Sequence, residues 1–516
     1  MKFLKSIVVV SIVTFISRLL GFIRDCLIAQ LFGASLVTDA FFMAFKIPNF
    51  LRRIFAEGAF TQVFLPILVE YKKRKGCKYT KEFISNILGL MILILIVLNG
   101  IGMIIAPTII SIIAPGFVNN LEKFNLSVSL LRIIFPYIFF ISLVSLASSV
   151  LNTWNYFLVP AFSPILLNIS IITTLVFFSP FFYAPIFSLA WGVFIGGVLQ
   201  LLYQVFYLNK VKILIFPCIN FQDTRLWYFI NKLIPVIIGI SACQISSIIN
   251  TIFSSLVISG SISWIYYADR IMEFPSGILG ISLSTVLLPA LSKISSKSLQ
   301  HNYSKLLDWG IRFCLIFSVP STVFLSILSK PIIIVLFQYG NFSINDTNMT
   351  QKALFAYSIG LIAILLVKVL SSAFYSKKDI KTPMKISLYV ILITQLFNIL
   401  LIYFFQYLGL ALSISLAAWV NVFFLFYYLY KKNMFCPEPG WIKFFWNLFI
   451  ATLVMVLIIL GLLKIMPDWS IGCMTYRILR LTGLCFIASC GYLITLILSG
   501  FDLLFFYKKV DKLVNC

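Results

Sequence analysis

Long apolar runs dominate this sequence, and their length decides what the chain can fold into. Crossing the hydrocarbon core of a bilayer as an α-helix takes about 20 residues, and only helices and closed barrels satisfy the backbone there. Of the 516 residues, 61% are hydrophobic and 11% charged, whereas about a quarter of a soluble domain is charged. We therefore predict an all-α polytopic membrane protein with about 14 transmembrane helices. They are predicted at 7–31, 35–69, 83–106, 127–151, 160–180, 186–208, 227–256, 261–290, 309–328, 353–376, 384–406, 408–430, 441–463 and 478–500.

The charges between these runs test the count independently. If the N-terminus is cytoplasmic, the even-numbered connections are cytoplasmic too, and they hold nearly all loop lysines, as in 72–81 and 377–385. The odd-numbered connections contain almost no lysine or arginine, with Lys123 as one exception. Cytoplasmic loops are enriched in Lys and Arg, so both termini are predicted in the cytoplasm and the protein in the bacterial inner membrane. The same loops account for the net charge of +24 without a nucleic-acid partner.

A weak internal repeat divides the helices into two sets. The second run contains Pro48 and the eighth, six positions later in the order of runs, contains Pro275. Each run ends in a Leu-Pro sequence, at Leu65-Pro66 and Leu288-Pro289. Parallel repeats of this kind occur in secondary transporters, although proline is frequent in spanning helices generally. The repeat predicts an N-lobe of six helices over 1–210, a C-lobe of six over 211–432, and two further helices with a cytoplasmic tail over 433–516.

Three of the apolar runs contain charges that a lipid-facing helix would exclude. Each charge near the bilayer centre costs roughly 2.5–3.5 kcal/mol, so these side chains must face a watery cavity, one another or the membrane boundary. Asp39, Lys46 and Arg53 are seven residues apart and Glu57 follows by four, which places them on one helical face. The charged residues are Arg18, Arg24 and Asp25 in the first run, Asp39, Lys46, Arg52, Arg53 and Glu57 in the second, and Asp269, Arg270 and Glu273 in the eighth.

The arginines of this set favour an anion-binding cavity. A guanidinium fork suits bidentate contact with phosphate or carboxylate, although a single member could instead snorkel or form a structural pair. We expect the acids to pair with arginines in one state and release them in another. The predicted substrate-binding residues are Arg18, Arg24, Arg52, Arg53 and Arg270. The predicted cavity-charge and gating residues are Asp25, Asp39, Lys46, Glu57, Asp269 and Glu273, with Lys368 as a secondary candidate. Amides inside apolar runs, such as Asn168, are interpreted as inter-helix hydrogen-bond partners.

Missing motifs exclude several classes of protein. The sequence has no G-x-x-x-x-G-K-[ST] loop, so no ATP site is expected. His301 is the only histidine, and neither HExxH nor CxxC occurs, so no metal or other cofactor is predicted. The connections are too short for a catalytic domain. A transporter is therefore predicted rather than an enzyme.

Five segments resemble the MurJ (MviN) family of lipid II flippases, and the similarity runs along the whole chain. They are SRLLGFIRD at 17–25, TDAFF at 38–42, FKIPNFLRRIFAEGAF at 45–60, YADRIMEFPSG at 267–277 and FQYG at 337–340.

The resemblance implies the fold of the multidrug/oligosaccharidyl-lipid/polysaccharide (MOP) exporter superfamily. That fold has two six-helix lobes around a central cavity and two C-terminal helices that form a lipid-tail groove. The implied substrate is lipid II, undecaprenyl-pyrophosphate bearing MurNAc-pentapeptide and GlcNAc, flipped from the inner to the outer leaflet. The alternatives are a flippase for another polyprenyl-pyrophosphate-linked saccharide and a small-molecule exporter of the same superfamily. The implied cavity residues are Arg18, Arg24, Asp39, Arg52, Arg53, Glu57, Asp269 and Arg270.

The energy source is not fixed by the resemblance. Some members of the family are thought to bind sodium through acidic residues of the second lobe, but runs seven, eleven and twelve contain no Asp or Glu here. Transport could be coupled to the membrane potential or to a monovalent cation, and both alternatives are left open.

Overall fold

The described part of the chain is helical, with no strand in it. The structure is a computed structural model, and it describes residues 2–53, 60–296 and 300–500. The α-helices in these ranges are α1 (Lys2–Phe32), α2 (Leu36–Arg52), α3 (Phe60–Ile104), α4 (Ala106–Ile113), α5 (Leu121–Ile134), α6 (Tyr137–Thr153), α7 (Leu158–Thr173), α8 (Phe187–Lys210), α9 (Thr224–Ser255), α10 (Ser261–Ser296), α11 (Gln300–Ile327), α12 (Ser329–Leu336), α13 (Ile344–Ser376), α14 (Lys381–Phe405), α15 (Tyr407–Lys431), α16 (Trp441–Ile465) and α17 (Met474–Leu498).

Eleven stretches within the described helices are long and apolar enough to cross a membrane. Each predicted apolar run is mostly helical where its residues are described, although a turn at 135–136 divides the run at 127–151 into α5 and α6. The prediction of an all-helical, multi-pass membrane protein is confirmed. The count of fourteen stays a prediction.

The second predicted run, 35–69, is described in two parts. Its first part is α2, which contains Pro48 and ends at Arg52, and its second part begins α3 at Phe60. Residues 54–59, and with them Glu57, lie outside the described residues, so a single continuous helix over this run is not tested. α3 then continues through the polar segment that follows, with an interruption at Gly76. Gly76 has φ +79°, a conformation that glycine adopts without steric cost, and the apolar arm starts just beyond it at Tyr79.

The chain forms two compact units, Met1–Ser263 and Trp264–Cys516. In the first, an aromatic cluster joins α3 to α9: the Phe64 ring lies 4.9 Å from Phe60 and 6.0 Å from Phe229, centroid to centroid. α9 was predicted as the first helix of the C-lobe, yet it packs here on α3. The predicted lobes and their boundary at 210/211 stay a prediction.

The connector between α8 and α9 is fastened to α3. Ser85 Oγ donates to the carbonyl of Phe216 at 2.6 Å, and Asn86 Nδ2 donates to the Asp223 carboxylate at 2.8 Å. The connector backbone approaches so closely that a Cβ added at Gly89 would lie 2.3 Å from the carbonyl oxygen of Cys218. The connector therefore packs as part of the first unit.

In the second unit, α13 is the central helix and packs on α11, α12 and α15. Small residues let α13 and α15 approach closely, as is usual between membrane helices. Ser415 Oγ donates to the carbonyl of Ala356 at 2.7 Å. The C-terminal pair, α16 and α17, packs on α11, where Tyr492 Oη donates to the carbonyl of Ile316 at 2.9 Å.

Replacing Gly360 by Ala should destabilise the second unit. A Cβ at Gly360 would lie 2.7 Å from Ser415 Cα, so α13 and α15 would have to move apart, at a cost of about 1–3 kcal/mol. Thermal unfolding of the purified protein measures this loss. Gly461→Ala is the matched control, because no atom lies within 4 Å of its added Cβ. Equal unfolding midpoints for the two variants would contradict the packing.

The connector should loosen in acid. Burial acts to raise the pKa of Asp223, but hydrogen bonds from the Arg225 side chain and backbone and from Asn86 outweigh it and hold the pKa below its ordinary value. A depressed pKa stabilises the connector above the ordinary aspartate pKa of about 3.9, and this stabilisation is lost as the pH falls below it. Hydrogen exchange over 211–225, corrected for intrinsic rates, should show the loss. Asp223→Asn should show no such step, and an identical step in both proteins would refute the assignment.

Candidate functional site

Arg24 and Asp25 form a buried ion pair on α1. Their exposed fractions are 6% and 1%, and Arg24 Nε and Nη2 donate to Asp25 Oδ1 at 3.0 and 2.6 Å. Arg24 Nη1 donates to Asn168 Oδ1 on α7 at 3.2 Å. The Asn168 amide in turn donates to the carbonyl of Ser17 at 3.0 Å. The guanidinium is thus held in one orientation between α1 and α7.

Asn168 is therefore a member of this site, not merely a bridge between helices. The interpretation of it as an inter-helix hydrogen-bond partner is confirmed, but its contact with Arg24 was not predicted. The only sequence signal was an amide inside an otherwise apolar run. Asn168 packs beside Gly21, one turn before Arg24, and a Cβ added there would make ordinary contact with the amide nitrogen at 3.6 Å.

Asp39, on α2, lies at the centre of a second buried cluster. Its carboxylate is 0% exposed and accepts four hydrogen bonds. Lys123 Nζ donates to it at 2.8 Å, the Gly260 N–H at 2.7 Å, the Ser263 N–H at 3.0 Å and the Ser263 hydroxyl at 2.7 Å. These four residues are called the Asp39 cluster below. Two of the donors are N–H groups at the start of α10, where a negative charge is favourable.

Asp39 pairs with Lys123 in this structure, a partner that was not predicted from the sequence. The sequence analysis placed this lysine among loop charges, but it lies in the first turn of α5 and is 4% exposed. Its ammonium also lies 4.2 Å from the ring centroid of Phe117. The signal that could have found it was its position as an isolated lysine in an almost uncharged odd-numbered connection.

The remaining charges of α1 and α2 differ in burial. Arg52 Nε and Nη2 donate to Asn49 Oδ1 at 3.0 and 2.8 Å, within the last turn of α2. Lys46 is half-buried, whereas Arg18 and Arg53 are exposed. The predicted stripe thus runs from the buried Asp39 to the exposed Arg53. Glu57, its fourth member, lies outside the described residues.

The charges of α10 lie in the second unit and are more accessible. Arg270 Nη1 lies 2.8 Å from Glu273 Oε2, and the two side chains are 37% and 48% exposed. The Arg270 guanidinium also lies over the ring of Tyr266, 5.4 Å from its centroid. Asp269 beside it is exposed. An exposed ion pair contributes about 0–1 kcal/mol, so another anion can replace Glu273 at small cost.

Lys368 attaches α13 to α10 further along. Its ammonium donates to the carbonyl of Ser276 at 2.8 Å. Gly280 makes room for the lysine stem, because an added Cβ would lie 2.4 Å from Lys368 Cδ. The secondary candidate therefore contacts the helix that carries Arg270.

Within the described ranges, no three His, Cys, Asp or Glu side chains come together as a metal site, and the coupling ion stays a prediction.

Comparison with solved structures shows which fold the chain shares. A multidrug resistance MATE family transporter of the MOP superfamily, in an inward-facing conformation, superposes with a TM-score of 0.67 over 83% of this chain and 98% of its own. Its sequence is 14% identical, so this similarity concerns the fold alone. The fold is that of MOP-superfamily transporters.

Closer relatives identify the family. Residues 28–480 match the family model described as lipid II flippase MurJ. The probable lipid II flippase MurJ of Buchnera aphidicola subsp. Acyrthosiphon pisum is 52% identical over 99% of this chain and 100% of its own length. The lipid II flippase MurJ of Burkholderia cenocepacia is 42% identical over 88% and 89%. A solved lipid II flippase MurJ, in an inward closed conformation, is 31% identical, with a TM-score of 0.78 over 95% and 100%.

The chain therefore belongs to the MurJ family of lipid II flippases. The resemblance found in its sequence motifs is confirmed, and so is the prediction of a transporter rather than an enzyme.

Replacing Asn168 by Leu should impair transport without removing any charge. Arg24 would lose one of the residues that orient it, and the carbonyl of Ser17 would lose the amide of Asn168 as a donor. We expect lipid II transport to fall by about tenfold, as buried polar networks depend on complete pairing. Exposure of lipid II on the outer leaflet measures this. Asn99→Leu is the control, because Asn99 donates only to Leu95 of its own helix. Unchanged transport in Asn168→Leu would show that Arg24 needs no support from α7.

Proposed function

We propose that this protein flips lipid II from the inner to the outer leaflet of the bacterial cytoplasmic membrane and so serves peptidoglycan synthesis, cell-wall biogenesis and cell shape. Relatives that share nearly the whole chain are named lipid II flippases. The observation that carries the proposal is Arg24, a buried arginine in an apolar helix, fixed in orientation by Asp25 and Asn168. A cation built into a membrane helix at this cost is a functional site by default.

The substrate's chemistry matches the charged residues. Lipid II carries a pyrophosphate and peptide carboxylates, and guanidinium groups bind both in bidentate fashion. Arg24, Arg52, Arg53 and Arg270 are proposed to hold these groups, and Arg18 to shape the cationic cavity. The exposed Arg270–Glu273 pair can exchange its carboxylate for a substrate oxygen at little cost.

Transport is proposed to proceed by alternating access between an N-lobe over 1–210 and a C-lobe over 211–432. Asp39, Glu57 and Asp269 would change partners between the two states, with Asp25, Lys46 and Glu273 balancing the charge. The isoprenoid tail would remain in lipid, guided by a groove formed by the helices of 433–516. Both termini are proposed to be cytoplasmic.

The energy source is proposed to be the membrane potential or a monovalent cation. The sequence has no ATP-binding loop. The membrane potential supplies about 2.3 kcal/mol for each charge moved through 100 mV, so a net charge on the loaded cavity is sufficient for directional transport.

Cells depleted of their own flippase and supplied with this chain test the proposal. A periplasm-restricted probe that cleaves lipid II should regain its substrate, whereas Arg24→Ala and Arg270→Ala should abolish cleavage with the protein still inserted, because the pyrophosphate loses its donors. Arg132→Ala is the control, since Arg132 is exposed and donates to the carbonyl of Met103.

Two results would contradict the assignment in different ways. Normal cleavage with both arginine variants would refute the cationic site. No cleavage with well-inserted wild-type protein would refute lipid II as the substrate and favour another polyprenyl-pyrophosphate-linked saccharide.

A further inference from the structure

Three connections that are far apart in the sequence meet at the Asp39 cluster. Asp39 lies just after the α1–α2 connection, Lys123 just after the α4–α5 connection, and Gly260 and Ser263 at the α9–α10 turn. All three are odd-numbered connections in the loop-charge analysis, which predicts them on the extracytoplasmic side. The hydrogen bonds of Asp39 therefore bring together three connections that the charge pattern independently predicts on the same side of the membrane.

We propose that Lys123 is a positioning residue of the transport cycle, whose charge keeps Asp39 bound to the first N–H groups of α10. The inference deepens the proposed function and rests on it. Among the described residues, Lys123 is the only cation within ion-pair distance of Asp39. Its exposed side-chain fraction is 6% and that of Asp39 is 1%.

The charge of Lys123 matters because Asp39 is cut off from water. A buried charge that has lost its partner is strongly destabilising, since neither solvent nor a counter-charge compensates it. With Lys123 neutral, the carboxylate keeps its place against Gly260 and Ser263 only as an uncompensated buried charge. The arrangement of the α9–α10 turn therefore depends on the charge of Lys123, which compensates the carboxylate that holds the turn.

The turn has a second attachment beside the cluster. A Cβ added at Gly116 would lie 1.9 Å from the carbonyl oxygen of Ser255, so the backbone segments touch directly. Lys123 Nζ also lies 3.4 Å from Ser259 Oγ, and Gly260 takes the positive φ of +94° that the turn requires. The segment 116–123 and Asp39 thus hold both ends of the turn.

Alternating access requires helix ends on the extracytoplasmic side to separate in one state and close in the other. The bonds from Gly260 and Ser263 to Asp39 must break when the start of α10 moves away from α2. Lys123 then sets how readily the start of α10 is released, because its positive charge compensates the negative charge of Asp39.

Hydrogen exchange on the full-length protein in nanodiscs tests the inference, together with the lipid II exposure assay. The variants are Lys123→Met, which keeps the bulk and removes the charge, Lys123→Arg, which keeps the charge, and the double variant Asp39→Asn with Lys123→Met. Lys330→Met is the matched control, since Lys330 is exposed. The peptides read are those over 256–266, with α13 peptides as the internal reference.

In Lys123→Met, the amides of Gly260 and Ser263 should exchange about tenfold faster or more, and lipid II exposure should fall by a similar factor. Lys123→Arg and Lys330→Met should match the wild type. In the exchange measurement, the double variant should be less affected than Lys123→Met alone, because no uncompensated charge remains. That reversal distinguishes charge compensation from simple loss of packing.

Exchange and transport within about twofold of wild type in Lys123→Met would overturn the inference. So would a double variant whose Gly260 and Ser263 amides exchange as fast as those of Lys123→Met. If Lys123→Met does not accumulate, the double variant decides: protected amides support the inference and rapid exchange refutes it. A wild type that exposes no lipid II would instead refute the proposed function, and the exchange data would then decide the role of Lys123 alone.

Discussion

A charged side chain buried among apolar membrane helices must find its hydrogen-bond partners within the protein, and this requirement organises the first unit. Water is not available there to compensate a lone charge. Arg24 meets the requirement with Asp25 and Asn168. Asp39 meets it with Lys123 and the start of α10. In each case, one charge joins segments that hydrophobic packing alone would not hold in a defined register.

The charged side chains of α10 in the second unit are more accessible than Arg24 and Asp39. Arg270 and Glu273 are accessible and pair one turn apart on the same helix, an arrangement with little intrinsic stability. Lys368 donates to the backbone carbonyl of Ser276 on α10. The first unit thus contains an arginine held between two helices, and the second contains an arginine in an accessible ion pair.

Much of the architecture was predictable because hydropathy and length are local properties. The run predicted at 186–208 is α8, Phe187–Lys210, and the run at 384–406 is α14, Lys381–Phe405. The insertion cost likewise singled out Arg24 and Asp39. Their partners could not be read in the same way. Lys123 lies 84 residues from Asp39, and Asn168 lies 144 residues from Arg24. No periodicity in the sequence predicts these pairings, because they depend on how distant helices pack. The packing of α9 on α3 could not be predicted for the same reason.

The packing of α9 on α3 has a consequence for how the protein is made. Synthesis proceeds from the N-terminus, and domains generally form as units in that order. Because the connector and α9 are both fastened to α3, all residues that form these contacts have been synthesised before Trp264 is added. Gly260 and Ser263, which donate to Asp39, are among the last residues of that unit to be synthesised. The nascent chain can therefore complete one half of the molecule, with its buried charges already neutralised, before the membrane receives the other.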